Sequence, residues 1–466
     1  MPPVSLTAGV FANAAGGRVA SGNAATPIGR VSIDTRTLNP GDFFVAIRGE
    51  RFDGEAFVGE ALRKGAAGVL VRDAALAGRV TDAVVVEADD TTRALQNAGR
   101  FVRRESRSRV VAITGSAGKT TTKEITADLL AARYQVFRNK GNLNNHIGLP
   151  LSLLELRSGP DIAVVELGMN HPGEIRTLVG IAEPEVRVWT NVGDAHIGFF
   201  ESADAIADAK AELLENARPE DVLVANADDE RLMSRVGSFT GRVVRFGIDA
   251  DADVRAVQVE SRGLEGMRAM VRTPAGEFGL RSPLLGMGNL SNALAATAVA
   301  VTFEVPVATI AETLAAIKPA HHRGELLRLP GGLTLVDDSY NSSPAALKQS
   351  LDTIAAATGS ARKIAVLGEM LELGAHARLL HEASGARAAA AGLDLLITVG
   401  NDAARAMADA AVRAGMRQAA VLHVPDAGQA ADLALQRTRP GDLILIKGSR
   451  SIGLDAVVGR LRAEYA

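Results

Sequence analysis

Short apolar runs, each closed by a glycine or a polar residue and followed by a helical pattern, recur along most of the chain. They constrain its fold more than any other feature. In the middle they read "VVAITG", "IAVVELG", "VRVWTN" and "VLVAN"; toward the end they read "LTLVDD", "KIAVLGEM", "LLITVG" and "LILIKG". Strand alternating with helix in this way argues for parallel, doubly wound α/β sheets. Functional groups in such sheets collect at the carboxyl ends of strands, so the polar residues that close these runs stand where a site would form. The first segment is mixed α/β: "SIDTR" and "GDFFVAIRG" read as strands and "EAFVGEALRKGA" as a helix.

Two polar stretches divide the chain. "RRESRSR", Arg103 to Arg109, precedes the apolar "VVAIT", and "IKPAHHRGE", Ile317 to Glu325, places a proline and charges between two apolar segments. The expected domains are residues 1–106, 107–318 and 319–466, which suits a chain of 466 residues at roughly 150 per domain.

Hydrophobic residues make up 47%, enough for several cores, and the net charge of -3 argues against a chain-wide basic surface for nucleic acid. With no Cys, disulfides and thiolate zinc sites are excluded, in keeping with a reducing compartment. The opening "MPPVSLTAGVFANAAGG" lacks the basic start and long apolar core of a signal peptide. The longest apolar stretches, such as "ALAATAVAVTF", fall short of the ~20 residues that span a bilayer. The expectation is a soluble, cytoplasmic protein with neither nucleic acid nor membrane as partner.

One stretch carries chemistry on its face. "TGSAGKTTTKE", Thr114 to Glu124, is a phosphate-binding loop more compact than the common pattern, which has a glycine where Ile113 stands. "RVVAIT" is a strand, "GSAG" a turn around Gly115 and Gly118, and "KTTTKEITADLLAA" a helix whose first N–H groups point at the anion. Gly115, Ser116, Ala117, Gly118, Lys119, Thr120 and Thr121 form the expected nucleotide cradle. Lys119 reaches the terminal phosphates, and the Thr120 hydroxyl holds Mg²⁺.

"TGSAGKTT" resembles the "TGTNGKTT" loop of the Mur ligase family, and the resemblance extends over essentially the whole chain. "SIDTRTLNPGDFFVAIRGERFDG" is similar to the family's nucleotide-sugar-binding N-terminal domain. "GNLNNHIGLPLSLL", "ELGMNHPGEI" and "NVGDAHIGFF" are similar to its central P-loop ATPase domain; "LVDDSYNSSPAAL", "VLGEMLELG" and "IKGSRSIGLD" resemble the C-terminal, Rossmann-like domain of the dipeptide-adding member. The neighbouring amino-acid-adding member would show "DNPR" and a "GKGHE"-like ending, and neither occurs.

The resemblance implies an ATP-dependent ligase. ATP phosphorylates a carboxylate, an amine attacks the acyl phosphate, and phosphate leaves. Bringing a carboxylate to a γ-phosphate demands concentrated positive charge. The implied substrates are UDP-N-acetylmuramoyl-tripeptide and D-alanyl-D-alanine, the implied cofactors ATP and two Mg²⁺ ions, and the implied state a monomer. Thr120, Glu166 and His196 are the implied metal ligands, from three strand ends. Lys210, by its pattern alone a helix-surface cation, is by resemblance carbamylated by CO₂, which turns a cation into an anion for the second Mg²⁺; that reaction needs a desolvated lysine.

Asn289 and Asn292 of "GNLSNALAA" resemble residues that bind adenine or ribose and also read as an Asn-capped helix start for Ala293 onward; Gly288 stands where many relatives have His. Arg323, Asp338 and Asn341 resemble residues that reach the nucleotide. Lys447 and Arg450 of "KGSRS" close a strand at a sheet edge, where Lys447 would neutralise the acyl phosphate and Arg450 orient substrate or bridge at the surface. Glu369 stands where the family usually has Asp. Ser32, Asp34 and Arg36 resemble contacts to the uridine-diphosphate side, and Asn142, Asn144 and Asn145 lie toward the tripeptide. The expected catalytic set is Lys119, Lys210, His196 and Lys447. Two alternatives stay open on the residues: another Mur-type or folylpolyglutamate-type ligase, and a P-loop ATPase that drives conformational change.

Overall fold

The computed structural model of the chain describes residues 3–49, 52–78, 83–195 and 197–465. By packing, the chain divides into two compact units. The first comprises Met1–Ile113, Arg133–Arg187 and Glu215–Asp221; the second comprises Thr114–Ala132, Val188–Leu214 and Val222–Ala466. Within each unit the strands run largely parallel, as the alternating pattern predicts.

In the first unit, β1 (Arg18–Ser21), β2 (Val31–Ser32), β3 (Phe43–Val45), β4 (Gly68–Val71) and β5 (Val84–Glu87) are ordered β1-β5-β4-β3-β2. β2 to β5 run parallel, and β1 lies antiparallel on β5. Phe44, Val58, Val69 and Val85 pack with Leu38 into one core. Of "SIDTR" only Ser32 lies in a strand, β2. The Asp34 side chain then accepts the N–H of Arg36 and turns the chain into a 3₁₀ turn, Thr35–Thr37. A short polar side chain that bonds the backbone two residues on competes with strand pairing, and here it wins.

The same unit holds β6 (Arg109–Thr114, of which all but Thr114 belong to it), β7 (Val136–Arg138) and β8 (Ile162–Glu166), parallel in the order β6-β8-β7. Every residue of β8 is buried, and Ile113 pairs with Glu166, so β8 ends on a buried carboxylate.

β9 (Val186–Trp189) leads into the second unit. There β10 (Val222–Asn226), β11 (Arg242–Gly247) and β12 (Val254–Ser261) run parallel, and β13 (Met267–Thr273) and β14 (Gly276–Ser282) continue antiparallel. The six-stranded sheet joins β15 (Glu325–Arg328), β16 (Thr334–Asp338), β17 (Arg362–Gly368), β18 (Leu395–Val399), β19 (Val421–Val424) and β20 (Asp442–Lys447) in the order β15-β16-β20-β17-β18-β19. All its pairs are parallel except β15 on β16. Leu335, Val366, Ile397, Ile444 and Leu461 sit in its core.

The expected edge placement of Lys447 does not hold. β20 lies between β16 and β17, with Lys447 opposite both Asp338 and Leu367. The run "DLILIK" is buried at every residue, the mark of a strand covered on both faces. Among the described residues no helix is long and apolar enough to cross a membrane.

Candidate active site

The phosphate loop is built as its sequence predicts. β6 ends at Thr114, residues 115–118 turn, and a helix runs Lys119–Ala131. Its two glycines are required by protein neighbours as well as by any ligand. Gly115 has φ 151°, and a Cβ there would overlap the Thr190 hydroxyl; Gly118 has φ 81°, and a Cβ there would overlap Asn292 Oδ1. Lys119 Nζ donates to Gly115 O at 2.8 Å, so the side chain curls over its own loop.

The loop is held from outside by residues that the sequence reading missed. Thr190 Oγ1 donates to Ala117 O at 2.7 Å, and the Asn191 side chain accepts from Ala117 N at 2.8 Å and donates to Ala117 O at 3.1 Å. Gly193 N donates to Ser116 Oγ at 2.9 Å, and that hydroxyl donates to Gly193 O at 3.1 Å. The signal was present in "VRVWTN", a strand closed by a hydroxyl and an amide, but its target lies some seventy residues away in the chain.

Lys210 lies in the last turn of the helix Ala203–Ala211 and is buried, 2% exposed. Burial, and next the charge of Lys119, push its ammonium well below the ordinary lysine range. The surface-cation reading of its pattern is thereby overturned. Glu166 is likewise buried, and its Oε1 accepts from Asn144 Nδ2 at 2.8 Å. Asn145 instead accepts from Ile147 N and Gly148 N at the start of the helix Gly148–Leu154, and Asn142 is exposed. His196 lies outside the described residues.

The expected helix start at Ala293 is also corrected. The helix runs Gly286–Thr302 and takes both asparagines inside it. Asn289 Nδ2 donates to Leu285 O, Asn292 Nδ2 donates to Asn289 Oδ1 at 3.2 Å, and Thr122 Oγ1 donates to Asn292 Oδ1 at 3.2 Å. A side-chain ladder thus ties this helix to the one that follows the phosphate loop. At Gly288 a side chain would meet the carboxamide of Gln349, which would have to move aside.

Beyond β16 the remaining residues converge in two groups. Lys447 Nζ, at the end of β20, donates to Asp338 Oδ2 at 2.6 Å and to Asn341 O at 3.1 Å. Arg323 lays its guanidinium 4.2 Å from the centre of the Tyr340 ring, and Arg450 reaches the same ring at 5.8 Å while pairing with Asp455 at 3.4 Å. Tyr340 N donates to His322 O, and His322 Nδ1 bonds the buried Asp337 at 2.6 Å. Tyr340, the anchor under both arginines, was missed inside "DDSYN". Glu369, one methylene longer than Asp, uses that length to accept from Asn401 N at 2.8 Å.

In the first unit, Ser32 and Asp34 bond locally: the Ser32 hydroxyl contacts Asp34 O at 3.1 Å and Asp34 N at 3.2 Å. Arg36 grips Asp34 through Nε and Nη2, and these bonds hold the Asp34 carboxyl down to about 2.

Three family models match the chain: the Mur ligase family catalytic domain over residues 27–116, the Mur ligase middle domain over 113–300, and the Mur ligase glutamate ligase domain over 322–450. A relative from Synechocystis named UDP-N-acetylmuramoyl-tripeptide–D-alanyl-D-alanine ligase is 37% identical over 441 residues, 94% of this chain and 92% of that protein. The crystal structure of MurF from Acinetobacter baumannii matches with a TM-score of 0.88 at 29% identity, covering 99% of this chain and 100% of that one. MurF ligase from Thermotoga maritima, solved in complex with ADP, matches with a TM-score of 0.81 at 29% identity, covering 94% and 97%.

Proposed function

The chain belongs to the Mur ligase family, and from that premise we propose that it joins D-alanyl-D-alanine to UDP-N-acetylmuramoyl-tripeptide with ATP, releasing ADP and phosphate. The observation that carries the reading is the likeness, along nearly the full length of both chains, to relatives that bear the name of this reaction. The tripeptide carboxylate takes the γ-phosphoryl group and ADP departs. The dipeptide amine then attacks the carbonyl carbon, loses a proton, and phosphate leaves with the C–O bond. The enzyme acts as a cytoplasmic monomer.

In this reading Lys119 neutralises the terminal phosphates, with the N–H groups of residues 115–121 around them. Lys447 offers a second cation, held by Asp338 at the end of an interior strand. Arg323, stacked on Tyr340, faces the γ-phosphate, while Asn289 and Asn292 bind the base or ribose. Ser32, Asp34 and Arg36 take the uridine-diphosphate side, Asn142, Asn144 and Asn145 the peptide, and Arg450 the acceptor. The proposed domains are residues 1–106, 107–318 and 319–466; the three family models span 27–116, 113–300 and 322–450.

Among the described residues no group of three His, Asp or Glu side chains is gathered for a metal. The proposed ligands for Mg²⁺ are of a different make: the Thr120 hydroxyl, Glu166, His196 and a carbamate on Lys210. The donor set fits a hard cation, and the burial of Lys210 within the charge of Lys119 is what favours its conversion. The neutral amine attacks CO₂, a C–N bond forms and a proton leaves, so a disfavoured cation becomes an anion. When bound, Mg²⁺ supplies charge stabilisation at the phosphoryl oxygens.

ADP release measured with ATP, Mg²⁺ and each substrate alone, then both together, tests the proposal. Turnover only with both substrates supports synthesis; equal ADP release without them points to an ATPase that drives motion.

A further inference from the structure

Beyond β9 the chain is held at two places. Asn191 and Gly193 bond Ala117 and Ser116 of the phosphate loop. At the far end Gly198 N donates to Glu372 O at 2.9 Å. His196 lies between these ends in the sequence. The contact at Gly198 is backbone on backbone. A Cβ on Gly198 would lie 2.5 Å from Gly374 N and 2.7 Å from Glu372 O, and a Cβ on Gly374 would lie 2.8 Å from Gly198 Cα. Real side chains do not fit at such distances, so this junction requires glycine on both sides.

The segment that meets Gly198 is rigidly rooted in the six-stranded sheet. Glu369 N donates to Val399 O at 2.8 Å. Met370 N donates to Nε2 of the fully buried His381 at 2.9 Å, while His381 Nδ1 donates to Ala377 O at 2.7 Å. Leu371 N donates to Ser449 Oγ at 2.9 Å, and Ser449 N returns a bond to Glu369 O at 3.2 Å. Three consecutive backbone N–H groups are thus committed. At the tip Glu372 takes φ 65°, which a non-glycine residue holds only where its surroundings fix it.

We infer that Met370–Gly374 is a positioning arm: through Gly198 it sets Asn191–Gly193, and through them the phosphate loop, for turnover. The inference rests on the ligase reading and adds to it a physical link between the acceptor-side sheet and the nucleotide. It rests on the hydrogen bonds at either end, from His381 and Ser449 to the arm and from Asn191 and Gly193 to the phosphate loop, and on the bond from Ile197 N to Asp194 O at 3.3 Å between them. The residues of the arm act through others and touch no reacting atom.

The whole chain is purified as wild type, Gly198→Ala and Glu372→Gly, and assayed for kcat at saturating substrates and for ADP affinity by calorimetry. Gly198→Ala drives a methyl into the junction; Glu372→Gly keeps the carbonyl and relieves the left-handed backbone. The expected result is a fall in kcat of at least tenfold for Gly198→Ala with ADP affinity within threefold of wild type, and kcat within threefold for Glu372→Gly. A smaller fall in Gly198→Ala, a fall matched by lost ADP binding, or an equal fall in Glu372→Gly overturns the inference. If Gly198→Ala does not fold, His381→Leu, which withdraws the acceptor under Met370 without adding a clash, carries the same tenfold criterion. Wild-type turnover in the same assay separates failure of this inference from failure of the ligase reading.

Discussion

Lys210 is buried within the field of Lys119, and both burial and that neighbouring charge favour its neutral form. The unfolded chain binds a proton at this lysine up to about its ordinary value of 10.5, whereas the folded chain releases it far lower. Folding therefore sheds a proton, and stability contributed at this position rises with pH toward 10.5. Below the folded value the burial cost is present in full. Lys210→Met should accordingly abolish turnover; measured in CO₂-depleted buffer, where the wild-type side chain is the free amine, it should raise the melting temperature by a few degrees at pH 7 and by less as pH approaches 10. Unchanged stability across that range contradicts the burial account. Wild-type activity should also fall in CO₂-depleted buffer and return with bicarbonate; indifference to both rules out the carbamate.

Lys119→Ala should leave the melting curve within a degree or two of wild type, because the side chain is only part-buried and bonds its own loop. Turnover should fall on the order of 10²–10³-fold or more, the usual cost of one preorganised charge contact in a transition state. Near-normal ligation by this variant removes the loop from the chemistry.

Gly118→Ala should be costly on two counts. The left-handed backbone opposes any Cβ by about 1–2 kcal/mol, and the methyl would press on Asn292, which Thr122 and Asn289 hold in place. Thermal melting and ADP titration of the variant should show both a lower melting temperature and weaker binding. A wild-type melt with wild-type ADP affinity contradicts the interlock.

His381 accepts from Met370 N, so it must be neutral at Nε2, and burial lowers its affinity for a proton. The unfolded histidine titrates near 6.5 and the folded one lower, so stability is lost as pH falls below about 6.5. His381→Gln keeps an acceptor and does not titrate. Its stability should vary less than that of wild type between pH 6.5 and pH 5 in urea titrations; parallel curves show that His381 is not part of the acid response.

What was legible in the sequence was what local pattern encodes. The alternating runs gave the parallel sheets, and "TGSAGKTT" gave strand, turn and helix in place. What escaped depends on partners far off in the chain. Nothing near Lys447 says that β20 inserts between β16 and β17, and nothing near Ala117 says that Asn191 will hold it. "SIDTR" misled because the Asp34 side chain outbid the strand for Arg36 N. Asn292 misled because an amide that caps helices so often sits here inside one, bonded sideways to Asn289 and Thr122.

The central claim is the identity of the bond that forms. The direct measurement gives the enzyme ATP, Mg²⁺, UDP-N-acetylmuramoyl-tripeptide and an equimolar mixture of D-alanyl-D-alanine, D-alanine, D-glutamate and diaminopimelate, and weighs the nucleotide-linked product by mass spectrometry. The account predicts that the product gains D-alanyl-D-alanine less one water, with one ADP released per bond. A product that carries a single amino acid, or ADP with no ligated product, contradicts it.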